Sequence, residues 1–590
     1  MKELQSLNKF LWKYRWRLIA GFVLIVLSNY VALFSIGYVG TAVNQIESLL
    51  SQYISGEIGD LSQVKKSLMY AALFFIGLKI LAGFFSVGVR LMVIATSRHI
   101  EFDLKNEIYQ HYQKLSLSFY KKNKTGDLMN RITEDVAFVR QYLGPGIMYP
   151  MDLVSRATII LGFMINLDPI MTLYTLAPLP ILSILIYKVA STINRKSKDV
   201  QQQQSTVSSM VQDTFSGIRV IKSFNSEKST KEQYADEAIQ YEKKALSLAQ
   251  TEAFFSPLMI LVVGISNLLI LYVGGLRYSA GQLNLGEIAQ FFMYLNTLLW
   301  PFTSLRFVTM LIQCAEASMA RINEFMKQKP EIINSVEQET PISGSIEFKN
   351  VSYTYENTGI QALKNISFKL EKGKSLAIMG KTGSGKSTLV LLLARLLQPT
   401  DGQILIDGVP YENLNLTSLR KAIGFVPQEA YLFSDSIAHN ILFGAKEDKD
   451  LEDVKNYAIK AAVHDNIIGF KNRYDTILGE RGVTLSGGQK QRISIARALI
   501  KEPEILVFDD SLSAVDTETE EEILNNLKSE MNQKTTLIIT HRLSSAKNAD
   551  YIMVLDEGEV VEFGTHTELL AKENAYYSLV KKQLLESESS

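Results

Sequence analysis

Six mostly apolar runs, near residues 18–43, 67–89, 147–167, 170–187, 253–276 and 288–315, crowd into the first half of this chain. A helix needs about 20 such residues to cross the hydrocarbon of a bilayer. A buried helix of a large soluble protein accounts for one run of this kind but not for six, so residues 1–326 are expected to form an α-helical membrane domain with six spans. At 590 residues the chain is too long for one domain. The polar, proline-bearing stretch 327–344 reads as a linker. Beyond it, 345–590 reads as a soluble domain in which strand-like and helix-like runs alternate, the pattern of an α/β fold.

Lysine and arginine orient the spans. The N-terminal flank and the stretches 98–140 and 188–244 are rich in both, whereas 166–169 has neither, 47–66 has only Lys65 and Lys66, and 275–287 has only Arg277. Positive flanks stay on the cytoplasmic side, so both chain ends are expected in the cytoplasm. The apolar run after Arg17 is too long for a cleavable signal and lacks a small-residue cleavage site. Residues 7–17, with Trp12, Tyr14 and Trp16 among cations, read instead as an interfacial helix.

The long cytoplasmic connections keep a helical alternation over 97–117 and 196–247, so helices 2 to 5 are expected to run on beyond the membrane and to turn at tips near 121–127 and 217–227. Lys79, Arg90, Asp152, Arg156 and Arg306 fall inside the apolar runs. A charge there costs about 2.5 to 3.5 kcal/mol on insertion scales, so each should face a cavity, a partner or the interface. Asp152 and Arg156, one turn apart, are placed to pair with each other. Arg306, beside Trp300, Phe302 and Phe307, is placed either to line a cavity or to serve packing. The 61 Lys and Arg balance 61 Asp and Glu, so net charge gives no reason to expect nucleic acid as a partner. The single cysteine, Cys314, excludes a disulfide or a cysteine metal site within the chain.

In the soluble part, Gly380-Lys381-Thr382-Gly383-Ser384-Gly385-Lys386-Ser387 follows an apolar strand, 376–379, and opens a helix that carries Thr388 and runs to 397. Glycines let the backbone wrap phosphates, and the amides of a helix N-terminus face their charge. Lys386 is placed for the β and γ phosphates of a nucleotide and Ser387 for Mg²⁺. The bland reading, a glycine-rich turn, does not account for the strand before it and the helix after it. About a hundred residues on, Leu485-Ser486-Gly487-Gly488-Gln489 precedes a helix and then an apolar strand, 505–508, that ends in Asp509. A carboxylate at that strand end is what a second Mg²⁺ contact requires.

Together these motifs resemble the ATP-binding cassette (ABC) ATPase family, over the whole soluble domain. The resemblance implies that Tyr355 stacks on adenine, that Gln428 senses Mg²⁺ and the membrane domain, and that His541 stands near the γ-phosphate. It implies a D-loop at 513–516 and a loop at 476–482, with Glu480, that faces the cytoplasmic tips. It implies too that Ser486, Gly487, Gly488 and Gln489 complete the phosphate cage of a partner chain, so one chain cannot close a site. Six spans fused ahead of the ATPase resemble the exporter class, and the runs 98–105, 125–131, 143–146 and 217–224 are similar to bacterial multidrug half-exporters of the Mdl type.

The expected function is therefore ATP-driven export of amphipathic or lipophilic compounds across the cytoplasmic membrane of a bacterium, by alternating access. ATP and Mg²⁺ are the expected cofactors, and a second half-transporter, identical or not, the expected partner. Lipid or glycolipid flipping is the alternative, and an ATP-gated channel or regulatory subunit is the alternative of another class. Asp510 departs from the family pattern: hydrolysing cassettes carry there a glutamate that handles the attacking water. Either the site on this chain hydrolyses slowly beside an active partner site, or it works through the shorter carboxylate.

Overall fold

The computed structural model describes residues 2–55, 62–445, 449–479, 482, 485–513, 515, 517–531 and 533–588. The chain divides into two compact units, Met1–Tyr109 with Met129–Met326, and Gln110–Leu128 with Lys327–Ser590.

The first unit is helical throughout. Apolar runs in hydrocarbon must satisfy every backbone amide and carbonyl within the segment, which a helix does. Helix α1 (Arg15–Ile54) packs along α2 (Ser62–Val89), and α2 continues through one π turn, Arg90–Ile94, into α3 (Ala95–Lys114). Among the described residues four helical stretches are long and apolar enough to cross a membrane: Arg15–Ile54, Lys65–Lys114, Thr125–Leu167 and Ile260–Ser279. The runs 170–187 and 288–315 also fold as helix, within Pro169–Leu176, Pro178–Ser216 and Leu285–Met326, but include side chains outside the described residues. Arg306, Trp300 and Phe302 are among those, so the expectation that Arg306 lines a cavity or serves packing lies outside the described residues.

The helix Pro178–Ser216 has 39 residues. At about 1.5 Å per residue it is roughly twice as long as the ~30 Å hydrocarbon layer, so it runs on well beyond the membrane. It turns at the short helix Ile218–Ser223 and returns as Glu227–Ala253, which places the second tip where the sequence predicts it. Leu33, Ile160, Met164, Ile270, Phe291 and Tyr294 form the core of this unit. Phe84, Leu268 and Leu173, 71%, 65% and 69% exposed, are large apolar side chains turned outward, the surface a lipid phase covers. A Cβ on Gly286 would come within 1.9 Å of the Gly40 carbonyl oxygen, so α1 and Leu285–Met326 approach closely only because that position is glycine. Three of the intramembrane charges find partners: Asp152 accepts from Arg156 (3.2 Å) and from Asn29 (2.9 Å), and Lys79 donates to the Ala32 carbonyl (3.2 Å).

The second unit contains two sheets. One is antiparallel, built from β1 (Ile346–Thr354), β2 (Gln361–Leu370), β4 (Asp401–Ile406) and β5 (Val409–Pro410) in the order β2-β1-β4-β5. The other runs β10-β9-β3-β8-β7-β6, with β3 (Ser375–Gly380), β6 (Ile423–Val426), β7 (Ile505–Asp509), β8 (Thr535–Ile539), β9 (Tyr551–Asp556) and β10 (Glu559–Gly564). β6, β7, β8, β3 and β9 are parallel neighbours, and every residue of β3, β7 and β8 is buried. Strands covered on both faces read as unbroken apolar runs, which is why these segments show no alternation in the sequence.

Candidate functional site

In an open parallel sheet, ligands bind beyond the carboxyl ends of the strands. Here four adjacent strands deliver the candidate residues to that one edge. β3 ends in Gly380 and opens the glycine loop, β7 ends in Asp509 with Asp510 next, β8 ends two residues before His541, and β6 ends two residues before Gln428. The loop leads into the helix α4 (Lys386–Leu393). Gly380, Gly383 and Gly385 have φ of +146°, +84° and +98°, a region only glycine enters without strain, and a Cβ on Gly385 would lie 2.3 Å from the Ala362 carbonyl oxygen.

The charged groups of this edge engage one another. Lys386, 7% exposed, donates its ammonium to the carbonyls of Gly380 (2.7 Å) and Lys381 (2.8 Å). Ser387 donates to Asp509 at 2.9 Å, and Gln428 donates to Asp510 at 3.4 Å. Asp510 sits at φ +46° with its amide bonded to the Ile539 carbonyl (3.0 Å), so its backbone is tied to β8. Burial pushes the Lys386 ammonium below its ordinary pKa, against the pull of Asp510 and Asp509. It pushes both carboxyls up, with Ser387 and Lys386 pulling Asp509 back, and His541 and Lys386 pulling Asp510 back. His541 is lowered by burial and by the nearby Lys386 charge. A cation and carboxylates held this far out of water are poised for a charged ligand. Ser384 points the same way: its hydroxyl is buried in the glycine loop and has no hydrogen-bond partner.

The donor set also suits Mg²⁺. A hydroxyl and a carboxylate 2.9 Å apart, Ser387 and Asp509, are hard oxygen ligands for an ion that takes few protein ligands and fills its shell with phosphates and water. Among the described residues no group of three or more His, Cys, Asp or Glu forms a protein-only cage. Tyr355 holds its hydroxyl 3.0 Å from Thr388 Oγ1 on α4, with Tyr353 edge-on at 4.9 Å between ring centroids.

Ser486 caps the helix Gly487–Leu499, accepting from the Gln489 amide (3.3 Å) while the Gln489 side chain accepts from the Ser486 amide (3.0 Å). Ser486 and Gly487 are exposed, and among the described residues no hydrogen bond joins Ser486, Gly487, Gly488 or Gln489 to the glycine loop of the same chain. Glu480 and residues 514 and 516 of the D-loop lie outside the described residues.

Two features escape a reading of motifs. Glu520 is 1% exposed and holds Arg542, Ser544 and Ser545, while Arg542 also donates to the carbonyls of Val515 and Ser513, both 2.9 Å. One guanidinium thus ties the segment beside His541 to the D-loop. The first cytoplasmic tip is the other feature. Its helix α5 (Leu117–Lys122) brings Lys122 to Glu356 (2.9 Å), Ser118 to Glu331 (2.5 Å), and the Lys121 ammonium 5.5 Å over the Tyr355 ring. The only signal for this in the sequence is charge complementarity between residues more than two hundred positions apart.

Residues 18–302 match the ABC transporter transmembrane region, and residues 363–513 match the ABC transporter family. The chain is 37% identical over 479 residues to an uncharacterized ABC transporter ATP-binding protein, YknU, of Bacillus subtilis, covering 81% of this chain and 82% of that one. It is 34% identical over 499 residues to the multidrug resistance-like ATP-binding protein MdlA of Escherichia coli, covering 84% of each. It is 37% identical over 488 residues to an ATP-dependent lipid A-core flippase of Syntrophus aciditrophicus, covering 82% of this chain and 80% of that one. The chain belongs to the ABC transporter family. As an ABC transporter it binds ATP and couples ATPase activity to transport, and its membrane helices make it a multi-pass membrane protein. With one membrane region and one cassette per chain it is a half-transporter that pairs with another.

Proposed function

We propose that this half-transporter drives export of amphipathic or lipophilic compounds from the cytoplasmic side of a bacterial inner membrane, with both chain ends in the cytoplasm. The observation that carries the reading is the convergence of Lys386, Ser387, Asp509, Asp510, Gln428 and His541 at the carboxyl edge of one sheet, in a chain that also spans the membrane. Relatives named for multidrug resistance support the substrate class.

In this account the amides of Gly380, Lys381, Thr382, Gly383, Ser384 and Gly385 and the Lys386 ammonium hold the phosphates, and Tyr355 stacks on adenine. Ser387, Asp509 and Gln428 hold Mg²⁺, which when bound neutralises phosphate charge. Asp510 stands where hydrolysing cassettes carry the glutamate that handles the attacking water, one methylene short of it, so this chain's own site turns over slowly, and His541 stands by the γ-phosphate. Ser486, Gly487, Gly488 and Gln489, which among the described residues make no hydrogen bond to the glycine loop of their own chain, cap the phosphates of the partner site. Closure of two cassettes pushes the tips and turns the helices from inward-facing to outward-facing.

A second reading, flipping of an anionic lipid, is favoured by one feature: among the described residues, Lys79 and Arg156 share a membrane-embedded cluster with one carboxylate, Asp152. Lipid A-core flippases among the relatives agree with it. Measuring ATPase activity in proteoliposomes over a panel of amphipathic cations, neutral drugs and anionic lipids tests both. Stimulation by the drugs supports the first reading, stimulation confined to anionic lipids supports the second, and a flat response to every compound sinks both.

A further inference from the structure

A cavity of about 470 Å³ lies within the second unit, between residues 113–120 at the first tip and the linker with the helix α6 (Leu416–Ala422). That volume is in the range of small-molecule sites. Leu115, Leu117, Ile333 and Leu416 give it aliphatic walls. Among the described residues two cations line it, Lys114 and Arg420, and no carboxylate does. Lys114 pairs with no group among the described residues, and the Arg420 guanidinium donates to a backbone carbonyl, that of Arg395, at 2.9 Å. Behind it stands a third cation. Arg395 is 7% exposed, and its guanidinium donates to the carbonyls of Tyr411 (3.2 Å) and Ile333 (3.3 Å) and lies 5.5 Å over the Tyr411 ring.

Lys114 and Arg420 stand exposed at the cavity with the buried Arg395 behind them, and among the described residues no carboxylate pairs with any of the three, so an anion that enters meets positive charge alone. Three of the neutral polar groups nearby are already engaged: Tyr120 donates to the Tyr112 carbonyl, Ser116 bonds Ser118, and Asn334 accepts from the Leu416 amide. We propose that this cavity binds an amphiphilic anion, a short aliphatic or aromatic body carrying one phosphate or carboxylate, with the acid on Lys114 and Arg420 and the body against the leucine and isoleucine walls. Such a ligand touches both the tip and the cassette, so its occupancy braces one against the other. The inference does not rest on the transport reading, because it concerns residues outside the nucleotide site.

The test uses the full chain in neutral phosphatidylcholine nanodiscs, with a diazirine-bearing octyl phosphate as photoprobe and mass spectrometry of the labelled peptides. Labelling of peptides that contain 113–120 and 416–420 is expected, competed by octyl phosphate and by decanoate but not by octanol or inorganic phosphate. Replacing both cations, Lys114→Gln with Arg420→Gln, should raise the half-saturating concentration by about tenfold or more, the scale of one lost charge-assisted hydrogen bond. Binding of a fluorescent ATP analogue should remain, which shows that the cassette is folded. Should Arg420→Gln itself unfold the domain, Lys114→Gln alone, at an exposed position, must still weaken labelling, and Leu416→Trp must block it by filling the cavity. Labelling confined to the membrane helices, equal competition by octanol, equal competition by inorganic phosphate, or labelling that survives loss of both cations overturns the proposal.

Discussion

Lengthening Asp510 by one methylene should speed hydrolysis by this chain's own site. The Asp510 backbone is held by the hydrogen bond its amide donates to the Ile539 carbonyl (3.0 Å), and its carboxylate meets Gln428 only at 3.4 Å. A glutamate here places the carboxylate farther out by roughly one carbon–carbon bond, about 1.5 Å. A misplacement of about 1 Å in a catalytic group costs on the order of a hundredfold in rate, or about 2.7 kcal/mol of barrier. Asp510→Glu should therefore raise phosphate release by the purified chain on the order of a hundredfold, while ATP affinity stays within about twofold, since uniform binding is untouched. Asp510→Asn should leave the already slow rate nearly where it was. The assay is steady-state phosphate release beside equilibrium binding of a fluorescent ATP analogue. A brisk rate in the natural chain, abolished by Asp510→Asn and not improved by Asp510→Glu, would refute the reasoning and mean that the shorter carboxylate reaches the water.

Three further outcomes are expected. Lys386→Ala removes the cation nearest the phosphates and should weaken ATP binding by about a hundredfold or more, read by the same fluorescent analogue; unchanged affinity would mean the ammonium stays on the loop carbonyls it now contacts. Arg542→Lys keeps the charge against Glu520 but cannot fork to Ser513 and Val515, so turnover of the assembled transporter should fall about tenfold at constant ATP affinity; a matching loss in melting temperature and affinity instead would make Arg542 a structural support only. Burial alone would raise the Asp550 carboxyl, but the Ser375 amide and hydroxyl and the Lys374 ammonium hold it below its ordinary 3.8. A depressed folded pKa gives stability that is present above 3.8 and lost as pH falls through the lower, folded value. Asp550→Asn should therefore flatten the acid limb of the cassette's thermal unfolding profile, and an unchanged limb would show that the bonds to Ser375 and Lys374 add no net stability.

What was legible in the sequence was what is written locally. A span is a composition over twenty residues, and a phosphate loop is eight residues between a strand and a helix, so α1, α2, β3 and α4 stand near the places their patterns predict. The Asp152–Arg156 pair was equally visible, because four residues along a helix is one turn. Its third member, Asn29, was not, since it comes from a helix 123 residues away. Glu520 lay hidden in an acidic helix start that reads as an ordinary N-terminus, and only folding reveals that it is buried against Arg542. The grouping of 110–128 with the cassette was hidden for the same reason: its ties, Lys122 to Glu356 and Ser118 to Glu331, join residues 234 and 213 positions apart. Likewise nothing local marks Asp407 as the anchor of the linker end, where its carboxylate accepts from the amides of Ser343, Gly344 and Ser345.

The account stands or falls on whether ATP hydrolysis moves a compound across the bilayer. The direct measurement is accumulation of a fluorescent amphipathic dye in inside-out vesicles that carry this half-transporter with its partner, followed against ATP and against a non-hydrolysable analogue. The account predicts concentrative uptake with ATP, none with the analogue, and loss of uptake when the Lys386 ammonium is removed. Equilibrating flux that the analogue opens as well as ATP does would contradict it and leave an ATP-gated pathway in place of a pump.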